Sequence, residues 1–74
     1  MSLVFDGGKL ERLRVLAGLS RLELAKRVGT TARSIHRWEL GISPPRPHFV
    51  RRMASVFHAA QKDFYQEIHE EVKA

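Results

Sequence analysis

The stretch 21–41, RLELAKRVGTTARSIHRWELG, reads as two short helices joined by a glycine turn. Ser20 just ahead of it and Glu23 within it form a capping box. The serine oxygen takes the Glu23 amide while the Glu23 carboxylate returns to the Ser20 amide, so a helix starts at Arg21. Leu19 before the cap and Leu24 inside the helix make a hydrophobic staple, and Leu24, Ala25 and Val28 form an apolar stripe. Ala25 is the small member, where a second helix can approach. Gly29 ends the run where positive φ is needed, since it has no Cβ. Thr31 is the cap for the second helix.

From Ala32 onward, Ile35 and Trp38 stand three apart and face inward. That phase leaves Ala32, Arg33, His36 and Arg37 on the opposite side at i, i+1, i+4, i+5. Two guanidinium groups and an imidazole therefore ride on one exposed helical face. The major groove of B-DNA is ~12 Å wide and presents guanine O6/N7 pairs that Arg takes bidentately. The face thus fits a base-reading role: Arg33, His36 and Arg37 for base edges, Ala32 for close approach and a thymine methyl. The competing reading of the same residues is a solvated helical face. Trp38, in phase with Ile35, is expected in the core rather than against a nucleobase.

The charge distribution agrees with the first reading. The 74-residue chain carries a net charge of +5. Residues 1–57 hold 11 Lys/Arg against 4 Asp/Glu, a net +7, and residues 58–74 hold 2 against 4, a net −2. Arg21, Lys26, Arg27, Arg33 and Arg37 lie within the helical pair, so positive potential concentrates where a phosphate backbone would be met. A chain this short buries only ~60% of its unfolded surface and has little room for an enclosed active site. No Ser/His/Asp or Cys/His constellation is legible, so no enzyme is expected. There is no cysteine, and the four histidines have no i, i+4 partner, so neither disulfide, metal site nor cofactor is expected. No run approaches the ~20 apolar residues of a membrane span and no signal-peptide pattern is present, so a cytoplasmic location is the expectation.

Around the central pair, a first helix is expected over 7–17, with Asp6 as N-cap, Phe5 stapling against Leu10, and Leu10, Leu13, Leu16 and Ala17 inward. Three prolines at 44, 45 and 47 enforce an extended connection, and Pro47 suits the first position of a fourth helix burying Val50, Met53, Ala54 and Phe57. Arg51 and Arg52 read as a solvated face. Phosphate candidates are Arg21, Thr31, and, in the connection and the following helix, Ser43, Arg46 and His48. A C-terminal helix over about 61–72 would carry Phe64, Ile68 and Val72 at i+4 steps. This stripe either closes the core or binds a second copy.

LRVLAGLSRLELAKRVGTTARSIHRWELG, residues 13–41, resembles the helix-turn-helix of the Cro/phage-repressor (XRE) family. The match rests on Leu24-Ala25, Gly29, the paired threonines, Ile35 and Trp38, and the Glu39-x-Gly41 ending, and extends more weakly from Leu10 to about Tyr65. The resemblance implies an all-α fold, a compact bundle of about five short helices, taken here as one domain over 1–74 with its motif over about 21–40. It implies sequence-specific binding of double-stranded DNA and a transcriptional regulator, such as a repressor, acting as a homodimer and inserting the helix from Ala32 to Leu40 into the major groove. It also implies an ion pair between Arg14 and Glu39. Where the family often has glutamine, this chain has Arg21, Ala32 and Arg33, so no operator sequence carries over. His58 stands where a glycine usually follows the fourth helix, and Ala60 where a capping serine is common. The alternative is an antitoxin or adaptor of the same fold that holds a protein partner through the C-terminal helix.

Overall fold

Each helix begins at a signal the chain carries. The structure, a computed structural model, describes residues 2–68. Asp6 accepts the Lys9 amide at 3.0 Å and starts α1 (Gly7–Leu16). The Ser20/Glu23 capping box is closed in both directions, each bond 3.0 Å, at the start of α2 (Arg21–Val28). The Ser20 amide holds the exposed Glu23 carboxyl below its ordinary pKa. Gly29, at φ 79, turns the chain out of α2. Thr31 accepts the Ser34 amide at 3.1 Å and opens α3 (Ala32–Glu39). Pro47 takes the first position of α4 (Pro47–Phe57), where its missing amide costs nothing.

The helices close on a core in which Leu10, Leu24, Val28, Ile35, Val50, Met53 and Phe64 are fully buried. α2 and α3 pack on each other, α1 packs against α3, and α4 against α2. No helix among the described residues is long and apolar enough to cross a membrane.

Two expectations need correction. The fold is mostly helical rather than all-α, and its fifth helix is absent from the described residues. Gln61–Phe64 forms one 3-10 turn, after which β2 (Tyr65–Ile68) pairs antiparallel with β1 (Ser2–Phe5), in the register Ser2 with Ile68 through Phe5 with Tyr65. A spacing of four is even, so Phe64 and Ile68 suit one face of a strand as well as one face of a helix. The competition is decided by the partner: Leu3-Val4-Phe5 offers a strand, and the Asp6 amide donates to the Phe64 carbonyl at 2.7 Å, seating the ribbon at its base. Phe64 is consumed by the core, stacked on Phe5 with ring centres 6.3 Å apart, while Ile68 stays 42% exposed. The proposed helical stripe for dimerisation is therefore not formed, and its third member, Val72, lies outside the described residues.

The inward face of α1 is also rotated. Gly7, Leu10 and Arg14 are buried, Leu13 is half-buried, and Leu16 and Ala17 are exposed. Arg14 takes the position that the apolar pattern assigns further along, because it has a buried partner on α3. Phe57, similarly, is only half-buried on α4.

His58 closes α4 in the left-handed conformation at φ 53. A side chain there costs roughly 1–2 kcal/mol that glycine avoids. His58→Gly is expected to stabilise the fold by about 1 kcal/mol, raising Tm by roughly 4–8 °C. An unchanged or lowered melting temperature in thermal unfolding would contradict the assignment.

Candidate nucleic-acid interface

The pattern of α3 separates its faces sharply. Ile35 is fully buried and Trp38 nearly so, and Trp38 packs beside Phe49 of α4 with ring centres 5.2 Å apart. With that side anchored, Arg33 and His36 are exposed and Ala32 and Arg37 half-buried. Arg33 and Arg37 stand opposite Ile35 in helical phase with His36 beside them, whereas Ala32, three positions before Ile35, lies at the margin of the buried side. The cap at Thr31 is itself exposed, and its hydroxyl donates to Ser34 Oγ at 3.1 Å while accepting the Ser34 amide.

The ends of α1, α2 and α3 are tied through one carboxylate. Glu39, whose side chain is 1% exposed, accepts Arg14 Nε at 2.6 Å and Arg14 Nη2 at 3.2 Å. Arg14 spends its remaining Nη1 on the Leu19 carbonyl at 3.0 Å. The hydrogen bond that Arg14 donates to Glu39 outweighs the penalty of burial and raises the Arg14 pKa above its ordinary value. Arg21, at the first position of α2, donates its Nε to Glu39 Oε1 at 3.0 Å. Arg21 thus stands in the ion-pair network as well as on the surface. Sequence marks Arg21 as a phosphate candidate and Glu39 as a partner of Arg14, with no signal joining the two across 18 positions.

The connection and α4 hold the remaining candidates. Ser43 is half-buried, in a groove it shares with Pro44, the β1 residues Leu3, Val4 and Phe5, and Tyr65. Arg46 is exposed at the N-cap of α4. His48 lies over Phe49, ring centres 4.0 Å apart, so it rests on the same ring that packs beside Trp38.

Two further residues position this surface. Gly7 is buried where α1 passes the last turn of α3: a Cβ there would press on the Trp38 carbonyl oxygen and fall 2.5 Å from that of Glu39. By local propensity the glycine pair after Asp6 signals only a weak first turn, although a glycine at a helix start is also the signature of close backbone approach. Arg52, expected on a solvated face, donates Nη1 to the Val28 carbonyl at 3.0 Å and lies 5.9 Å over the Phe49 ring. It satisfies an end carbonyl of α2 and pins α4 to it.

The family model described as "Helix-turn-helix domain" matches residues 7–64. Among solved structures, the chain is similar to the solution structure of the SOS-response transcriptional repressor LexA from Eubacterium rectale. The TM-score is 0.76 at 22% identity, with 92% of this chain and 72% of that chain covered. No curated protein matches the chain.

Proposed function

Because the chain belongs to the helix-turn-helix domain family, we propose that it is a DNA-binding transcriptional regulator whose α3 lies in the major groove. The observation that carries this reading is the division of α3: Ile35 and Trp38 are sealed in the core while Arg33 and His36 stand in solvent. Arg33 and Arg37 supply guanidinium forks for guanine edges or the adjacent phosphates, His36 a third polar contact, and the small Ala32 lets the helix approach closely. Arg21, Thr31, Ser43, Arg46 and His48 are the candidates for the flanking backbone, which sets register and orientation.

A homodimer on a two-fold operator completes this reading. One such module covers only ~600–1,000 Å² on DNA, and pairing two multiplies affinity. Selection of bound fragments from a random duplex pool gives the half-site spacing, expected at ~10 bp between centres. Winners without a repeated half-site would remove the dimer.

Base reading by Arg33 has its own test. Arg33→Ala is expected to cost ~1–3 kcal/mol on the selected site and to relax preference at one base pair, with little change on random duplex. Equal losses on selected and random DNA would move Arg33 to the phosphate group.

A further inference from the structure

Two arginines share the Glu39 carboxylate and use it differently. Arg14 is fully committed, with Nε and Nη2 on Glu39 and Nη1 on the Leu19 carbonyl. Arg21 commits only its Nε, and its two terminal nitrogens have no acceptor among the described residues. The Arg21 side chain is 39% exposed, against 1% for Glu39. A guanidinium is planar, so one bond at Nε from an enclosed acceptor restrains the plane and leaves the outer edge, with its paired Nη donors, for another ligand. That edge is the one that takes two oxygens of a phosphate at once. Glu23, the acidic group of the same helical turn, is folded back onto the Ser20 amide.

We infer that Glu39 is a positioning residue for DNA binding: it holds Arg21 by Nε so that the outer guanidinium edge meets a backbone phosphate at the start of α2 while α3 occupies the groove. The inference rests on the DNA-binding reading above. Arg14 makes it possible. Alone, Arg21 and Glu39 would neutralise each other, whereas two guanidiniums on one carboxylate leave a net positive charge for the phosphate. Because Glu39 ends α3 and Arg21 begins α2, the same tie that sets the crossing of the two helices also sets the distance between the phosphate contact and the base-reading face.

The sign of one substitution separates positioning from simple charge. Glu39→Gln removes a negative charge, which by itself tightens binding to a polyanion. Loss of positioning weakens binding. The experiment titrates a fixed mixed-sequence duplex with the full chain at several salt concentrations, at a temperature where circular dichroism shows each variant folded. Arg21→Gln is expected to weaken binding about tenfold and to flatten the salt slope by ~1. Arg21→Lys, which keeps the charge and loses the fork, is expected to recover little of that affinity. Glu39→Gln is expected to weaken binding several-fold in the parent chain and to add no further loss in the Arg21→Gln background.

Binding by Glu39→Gln that equals or exceeds the parent's overturns the inference, as does an undiminished Glu39→Gln loss in the Arg21→Gln background. If Glu39→Gln does not fold, Arg21→Lys decides alone, and parent-like affinity overturns the proposal. A parent chain that fails to bind duplex even in dilute buffer removes the DNA-binding reading itself, a result distinct from a parent that binds and a Glu39→Gln variant that binds as well.

Discussion

Glu39→Ala is expected to lower the stability of the folded chain by about 3–5 kcal/mol, because it strands the buried Arg14 guanidinium without its counter-charge. The two partners of Glu39 contribute unequally to that loss. Arg21 is partly in solvent and can turn to water, so its bond to Glu39 is worth about 1 kcal/mol or less. Arg14 has only 10% of its side chain exposed and would retain a single bond, to the Leu19 carbonyl. A domain of this length holds roughly 4–11 kcal/mol in total, so from about a quarter of the margin to all of it would go. Thermal unfolding should show Tm falling by at least about 12 °C. Replacing Arg14 by Met in the same chain should restore part of the loss, since the uncompensated charge is then removed with its partner. A Glu39→Ala melting temperature within a degree or two of the parent would mean that the network contributes nothing to the fold.

Gly7→Ala is the second large effect expected, a loss of about 3 kcal/mol or more, at the upper end of what overpacking usually costs. The new methyl would meet backbone, the Trp38 carbonyl oxygen and the Glu39 carbonyl group, which cannot swing aside like a side-chain end. Relief requires α1 to withdraw from the last turn of α3, and that loosens the Arg14 to Glu39 bridge with it. The neighbouring glycine is the internal control. A Cβ at Gly8 would come no closer than 3.4 Å to Asp6 Oδ1, an ordinary contact. Gly8→Ala is therefore expected to stabilise by roughly 0.4–1 kcal/mol through the unfolded chain. Urea unfolding of the two variants side by side reads the contrast, and similar midpoints would refute the close approach of α1 to α3.

Local signals in the chain account for the helical part. The Ser20/Glu23 box, Gly29, Thr31 and Pro47 each act within a few residues, and each is where the structure uses it. The burial of Ile35 and Trp38 follows from their spacing alone, and the outward stance of Arg33 and His36 from the same helical phase. The amino-acid sequence by itself was therefore enough to determine the central helical pair and the side it exposes, because caps and periodicity are short-range physics.

Only the tertiary structure decided the rest, and in each case two distant stretches had to meet. The segment after Phe64 became a strand because β1 was there to pair with it, the even spacing of Phe64 and Ile68 being equally good on a helix. Arg14 took the inward place on α1 that the spacing assigned to Leu16 and Ala17, because Glu39, 25 positions away, makes burial of its charge tolerable. Gly7 is required by the end of α3, and Arg21 is held by that same end. Local periodicity says which residues share a face; it carries no information about which remote backbone or charge that face will find.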